Sequence, residues 1–151
     1  MAASAFTLYS NAILEMTKGN FNLSSDTYVA TLHTASYSPA PNTQALWSDV
    51  SASELTTVNG YTQGGVVLTT TTDTLSTATV TFSAASVVWS GFSAGPFRYV
   101  IITRRASTSL VTGDLILCYS DLTGGGTITG SGGTFTITMS GSGIFQITHT
   151  P

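Results

Sequence analysis

Hydrophobic and polar residues alternate along most of the chain after residue 26, with the period of two that is typical of β-strands. β-Branched and aromatic residues, which favour strands, are concentrated in the same segments. The pattern predicts about eight short strands, at 27–35, 65–72, 78–84, 86–90, 98–106, 114–122, 134–140 and 144–150. Gly, Ser and Asp separate these segments at spacings that suit hairpins rather than crossover helices. We therefore expect an all-β fold, an antiparallel β-sandwich or jelly roll.

The amino-terminal segment has a different period and predicts one short helix over residues 7–18. Thr7 is the candidate N-cap, and Gly19 stands where a left-handed residue commonly ends a helix. The apolar residues at helical spacing are Leu8, Ala12, Ile13 and Met16. At 151 residues, the helix and strands fit one domain, 1–151, because a single core serves chains of this length.

The composition indicates that the surface of this β-protein carries few charges. Only 7% of the residues are charged, whereas 42% are hydrophobic, and Ser and Thr are abundant. Hydroxyl-rich strand faces with little charge resist association poorly, so the composition favours a protein that works within an assembly. A secreted β-protein with a Thr-rich surface is the alternative. A net charge of −3 with four basic residues argues against nucleic acid as a partner.

The number of cysteines and the hydropathy of the chain exclude further classes of protein. The single cysteine, Cys118, excludes an intrachain disulfide and lies in an alternating run, where a buried apolar role is expected. The first residues lack the basic and apolar regions of a signal peptide, and no window reaches the roughly 20 apolar residues of a membrane span. We expect synthesis in a cytoplasm and no membrane partner.

Candidate chemistry is concentrated in the stretch from Trp47 to Leu68, which contains Asp49 and Glu54. Paired carboxylates are used in glycoside hydrolysis, so a carbohydrate-binding or hydrolysing module is one interpretation. Local structure is the other: Asp49 suits bonds to turn amides, and Ser51 with Glu54 three residues later resembles a capping box. Tyr61, Gly64 and Gly65 then belong to a structural loop.

The other residues with reactive or charged side chains offer little support for catalysis. His33 lies in a strand pattern and His149 near the carboxyl end, and neither stands in a metal-binding or nucleophile motif. No phosphate-binding loop is present. We therefore expect no enzymatic activity, no cofactor and no metal. Among the cations, the adjacent Arg104 and Arg105 point to opposite faces of a strand, so at most one of them faces a given partner.

Several short motifs follow one another along nearly the whole chain, among them "WSDVSASEL", "GYTQGGVVL" and "GGTFTITMSGSGIFQIT". Their order and spacing resemble a family of small structural proteins encoded among the virion genes of tailed bacteriophages. The element in which Asp49-Val50 and Glu54 precede "GYTQGG" is the most specific part. The other matching positions include Asp26, Thr27, Tyr37, Pro39, Gly133, Phe135, Gly143 and Ile144. A Trp that family members often carry in the last motif is absent here.

This resemblance implies a capsid decoration or cement protein, located on the outside of the virion and bound to the major capsid protein. It also implies self-association as a dimer or trimer. Aromatic anchors suit such an interface, and Tyr37, Trp47 and Phe92 are the candidates, with Arg104 or Arg105 as a charged contact. Loop aromatics can instead fill the local core. A tail or neck component is the alternative function, and the carbohydrate-binding module is the second alternative.

Overall fold

A computed structural model describes residues 5–150 and has one short helix and ten strands in antiparallel sheets. The helix α1 spans Ser10–Thr17, and short 3-10 turns lie at Trp47–Asp49 and Ser51–Ser53. The strands are β1 Thr7–Leu8, β2 Thr27–His33, β3 Val66–Val67, β4 Thr72–Ser76, β5 Thr79–Ser83, β6 Val87–Phe92, β7 Tyr99–Arg105, β8 Ile116–Asp121, β9 Gly133–Ile137 and β10 Phe145–Thr148. The predicted all-β class is confirmed, and the jelly-roll variant stays a prediction.

The strands form three sheets. A five-stranded sheet has the order β1-β8-β7-β2-β3, a three-stranded sheet has the order β10-β5-β4, and β6 pairs with β9. The central strands β2 and β7 are buried along most of their length, because other elements cover both faces of the large sheet. Alternation is therefore weakest where the sheet is most enclosed, as in the continuous apolar run of β7.

Two aromatic clusters cover the opposite faces of the five-stranded sheet. On one face the Tyr28 ring packs edge-on against Phe82 of the three-stranded sheet, with 5.2 Å between centroids. On the other face the rings of Tyr99 and Tyr119 contact Tyr37, which lies in the long segment after β2. This segment, together with α1, forms the outer layer over that face. Cys118 is fully buried within the sheet, as predicted.

The helix is shorter than the sequence pattern predicts. Thr7 lies in β1, where it pairs with Tyr119, and the helix begins at Ser10 with no side-chain cap. The prediction of a helix from residue 7 with Thr7 as its N-cap is therefore wrong, because pairing with β8 holds these residues extended. Gly19 has φ +77°, which confirms the left-handed residue after the helix.

The predicted strand at 65–72 is also wrong as a single element. Val66–Val67 forms β3 in the large sheet, whereas Thr72 begins β4 in the three-stranded sheet. Between them Thr70 has φ +52°, which turns the chain out of the extended conformation. This break, together with the unpredicted β1, accounts for ten strands where about eight were expected.

Candidate functional site

The segment between β2 and β3 is ordered by side-chain to backbone hydrogen bonds. The carboxylate Oδ2 of Asp49 accepts the amides of Ala45 at 2.8 Å and Leu46 at 2.9 Å, which holds the start of the first 3-10 turn. The Asp49 side chain is exposed and directed at the backbone of its own turn. The structure thus places Asp49 in the local role that its turn chemistry indicates.

Glu54 has a different role from the one expected of a capping box. Ser51 makes no capping hydrogen bond, and Glu54 lies after the second turn rather than within its first turn. Its Oε1 accepts the Tyr61 hydroxyl at 2.8 Å and the Gly64 amide at 2.7 Å. The predicted pairing of Ser51 with Glu54 is corrected accordingly: Glu54 ties together two parts of the loop that are ten residues apart.

Tyr61 connects this carboxylate to the central sheet. Its hydroxyl accepts the amide of Leu32 in β2 at 3.1 Å while donating to Glu54, and its ring is almost fully buried. Burial raises the pKa of the Glu54 carboxyl, whereas the hydrogen bonds from Gly64 and Tyr61 lower it. The strand, the tyrosine and the carboxyl group form one hydrogen-bonded chain from the core to the loop.

Gly64 and Gly65 complete the loop with left-handed backbone conformations, at φ +93° and +66°. A Cβ atom at Gly65 would collide with the carbonyl oxygen of Ala30, whereas a Cβ at Gly64 would meet nothing within 4 Å. Gly65 therefore allows the loop to approach β2 closely before β3 begins.

A second buried polar cluster surrounds His33, which the sequence did not distinguish from an ordinary strand residue. Thr31 Oγ1 lies 2.9 Å from His33 Nε2, and Ser53 Oγ lies 2.9 Å from Nδ1. The Ser53 hydroxyl donates to the Val50 carbonyl at 2.7 Å, so it accepts the Nδ1 proton. Burial lowers the pKa of His33 to about 3. A serine that donates to a carbonyl oxygen is not activated as a nucleophile.

The three aromatic anchor candidates are buried rather than exposed. Tyr37 is 5% exposed, Trp47 7% and Phe92 1%. The Tyr37 hydroxyl contacts the Tyr9 hydroxyl and donates to Gln44 Oε1 at 2.8 Å. The Phe92 ring packs edge-on against Phe97. The expectation that these rings project toward a partner is corrected: they fill the core beneath their loops, because a monomer gains most from burying large rings.

The arginines are held largely by acids of this chain. Arg104 Nε donates to Asp26 Oδ2 at 2.8 Å, and Arg98 Nη2 donates to Asp121 Oδ2 at 2.6 Å. Arg105 is half-buried, and among residues 5–150 no hydrogen-bond partner is found for its Nε atom. Arg104 is thus engaged within the chain through its Nε, whereas the Nε of Arg105 is buried without a partner among these residues.

Asp49 and Glu54 line different cavities. Asp49 lines one surface cavity with Tyr37 and Ser53, whereas Glu54 lines another with Trp47 and Gln63. Carboxylates of a glycoside hydrolase flank one bound sugar, and these two open to separate spaces. Within residues 5–150, no group of three His, Cys, Asp or Glu side chains could hold a metal ion. Nor does that part of the chain contain a helix long and apolar enough to cross a membrane.

The three-stranded sheet has two chemically different faces. Residues directly paired across strands share a face, and neighbours along a strand alternate. One side, the hydroxyl face, consists of Thr72, Thr74, Ser76, Thr79, Thr81, Ser83, Gln146 and Thr148. Three hydrogen bonds link its side chains across the strands, Thr72 to Ser83, Thr79 to Thr148 and Gln146 to Thr81.

Apart from Asp73, which pairs with Phe82, the other side of this sheet is apolar, and it is only partly covered. Phe82 and Phe145 are buried against the core, but Leu75 is 73% exposed and Ile147 46% exposed. Leu75 and Ile147 both pair with Val80, so these three side chains form a row across the sheet, the apolar row. The sheet therefore extends beyond the core and leaves the apolar row accessible.

Comparison with known proteins identifies no relative: no family model, curated protein or solved structure matches the chain.

Proposed function

We propose that this chain is a non-enzymatic virion structural protein that binds the outer surface of a bacteriophage capsid and stabilises the shell. The observation that supports this role best is the projecting three-stranded sheet, with its apolar row on one side and its hydroxyl face on the other. Both surfaces are almost free of charge, and the central parts of protein interfaces are depleted in charged residues. The order of motifs that resembles phage virion proteins supplies the identity of the partner.

The stabilising mechanism follows from binding to the assembled state. A protein that binds the assembled lattice more tightly than free subunits adds its binding free energy to shell stability by mass action. When several associated copies bind around a symmetry axis, each copy keeps the others close to their sites. The apparent affinity for the shell therefore increases, although each copy makes the same contacts. No catalytic group is required, which agrees with the separate cavities of Asp49 and Glu54.

The proposal is tested by adding the purified protein to expanded, empty shells of the phage that encodes it. We expect saturable binding and a higher melting temperature of the shells. Replacing Ile147 or Leu75 by Thr removes apolar contact worth about 1 kcal/mol, so each variant should bind about fivefold more weakly. Val111→Thr is the matched control, since Val111 is 48% exposed and lies outside this sheet.

Four outcomes contradict the proposal. Shells that bind none of the protein exclude the capsid role, and equal binding of all variants excludes the apolar row as the contact. Immunogold labelling of virions that is confined to the tail favours the tail or neck alternative. A glycan array that captures the protein favours the carbohydrate-binding alternative.

A further inference from the structure

A small cavity opens where the loop after β2 meets the segment between β7 and β8. Its volume is about 330 Å³, at the lower end of the range for small-molecule sites, so it suits one side chain rather than a large ligand. Trp47 and Leu110 provide apolar wall, while Ser51, Glu54, Gln63 and Ser109 provide polar groups. The cavity thus combines an apolar wall with one acidic side chain, that of Glu54.

Glu54 has one oxygen left for a ligand. Its Oε1 is occupied by Tyr61 and Gly64, but among residues 5–150 no group donates a hydrogen bond to Oε2. The residue is only 9% exposed, and Oε2 is not among the atoms that are both sealed from solvent and unpaired. A carboxyl group that has lost most of its water and retains a free, accessible oxygen is suited to a charged donor.

No cation within residues 5–150 supplies that donor. Within the described residues, Lys18 pairs with Glu15, Arg98 with Asp121 and Arg104 with Asp26, and no basic nitrogen lies within 4 Å of Glu54. Tyr61, the titratable side chain that contacts Glu54, is neutral at ordinary pH, because burial raises its pKa. His33, which bridges Glu54 through the backbone, is neutral as well.

We propose that this cavity receives the ammonium group of a lysine side chain from a partner protein, with Glu54 Oε2 as the acceptor. Trp47 and Leu110 would contact the methylene stem, as apolar surfaces do with the stems of lysines. A lysine fits better than an arginine, because the arginine fork is matched to two carboxylate oxygens and only Oε2 is free. A second copy of this chain is a poor source, since three of its four basic residues are already in ion pairs.

This inference deepens the proposed function and rests on it only for the identity of the partner. It adds a charged contact at a site separate from the three-stranded sheet, whose two surfaces are apolar and hydroxyl-bearing. A small-molecule probe tests the cavity without any capsid, so the two proposals fail separately.

The probe is Nα-acetyl-lysine methylamide, titrated into the full chain and followed by NMR at the Trp47 indole N–H and the Gly64 amide. We expect saturable shifts with a Kd on the order of millimolar, which is the scale of a single weak anchor. The neutral analogue Nα-acetyl-norleucine methylamide, which keeps the four-carbon stem without the ammonium group, should cause no saturable shift. The arginine analogue and 1,4-diaminobutane distinguish a lysine site from a guanidinium or free diamine site.

Two variants make the outcome decisive. Glu54→Gln keeps an acceptor for Tyr61 and Gly64 but removes the charge, so it should fold and bind the lysine probe at least about tenfold more weakly. Glu15→Gln removes an equal charge on the helix and should bind as the parent does. Equal binding of lysine and norleucine probes, unchanged binding by Glu54→Gln, or no shift at about 50 mM probe would overturn the inference. Saturable shifts with glucose at these two groups would assign the cavity to a neutral hydroxyl ligand instead.

Discussion

His33 shows how tertiary context sets the chemistry of a single residue. The imidazole is fully buried and has a hydrogen-bond partner for each ring nitrogen, Thr31 at Nε2 and Ser53 at Nδ1. Protonation would place an additional proton on Nε2 and a charge in a site without a counter-ion. Burial therefore lowers the pKa of His33 to about 3, so the ring is neutral in the folded protein at ordinary pH.

Because His33 is buried in its neutral form, we expect the folded protein to lose stability as the pH falls. The folded-state pKa is lower than the value of about 6.5 in the unfolded chain, so between these values the unfolded state binds the extra proton. Stability should therefore fall as the pH decreases from about 6.5, reaching a loss of about 2 kcal/mol at about pH 5. Urea unfolding at several pH values measures this slope. Glu54 contributes with the opposite sign, because its folded-state pKa is raised.

His33→Gln isolates the histidine contribution, because it removes the titrating group whatever its effect on stability near pH 7. The fall in stability between about pH 6.5 and pH 5 should disappear in this variant, and any remaining slope should have the opposite sign, because the contribution of Glu54 is then no longer masked. His149→Gln, at an exposed position, should keep the slope of the parent. A slope that His33→Gln leaves unchanged would show that His33 is not the source.

Asp49 and Glu54 show what residue identity could and could not predict. Turn and capping chemistry predicts a loop-structuring role for both, and both accept backbone amides in the structure. The partners of Glu54 could not be predicted, because Tyr61 and Gly64 reach it only after the loop folds back on β2. The same closure buries most of Glu54 while Asp49 stays exposed, a difference that their separation of five residues in the sequence does not predict.

At the scale of elements, the approach of one backbone to another decides which glycines are essential. Gly64 and Gly65 are adjacent and both have positive φ, but only Gly65 lies against β2, with Ala30 and Thr31 within the space that a Cβ would occupy. Sequence identifies the Gly pair as a turn signal and cannot rank its two members.

Alanine substitutions should separate the two positions. Gly64→Ala should cost about 1–2 kcal/mol in the free energy of unfolding, the ordinary cost of a left-handed backbone for a residue with a Cβ. Gly65→Ala adds a collision with the Ala30 carbonyl, so it should cost about 3 kcal/mol or more. Chemical denaturation of both variants measures the difference. Equal losses, or a larger loss for Gly64→Ala, would contradict the close approach.

For the whole molecule, charge and sheet architecture together determine how copies interact. The chain has a net charge of −3, so repulsion between copies is weak. Strand β4 is an edge of the three-stranded sheet, all five of its residues are exposed, and it contains neither Lys nor Pro. Apart from the charge of Asp73, this edge lacks the features that usually prevent pairing with another strand.

We therefore expect concentration-dependent self-association through this edge, measurable by sedimentation velocity. Leu75→Lys places a charge on β4 and should shift the chain toward monomer. Val111→Lys introduces the same charge at another exposed apolar position and should associate as the parent does. If the two variants behave alike, the effect is one of net charge and not of the β4 edge.

The sequence by itself determined the all-β class, the positions of the longer strands, the buried cysteine and the absence of recognisable catalytic motifs. These follow from local periodicity and side-chain chemistry, which need no knowledge of distant residues. Only the tertiary structure decided that Tyr37, Trp47 and Phe92 are buried, that 65–72 divides between two sheets, and that Glu54 keeps a free oxygen. Each of these depends on contacts between segments far apart in the chain, and burial and partners are properties of those contacts.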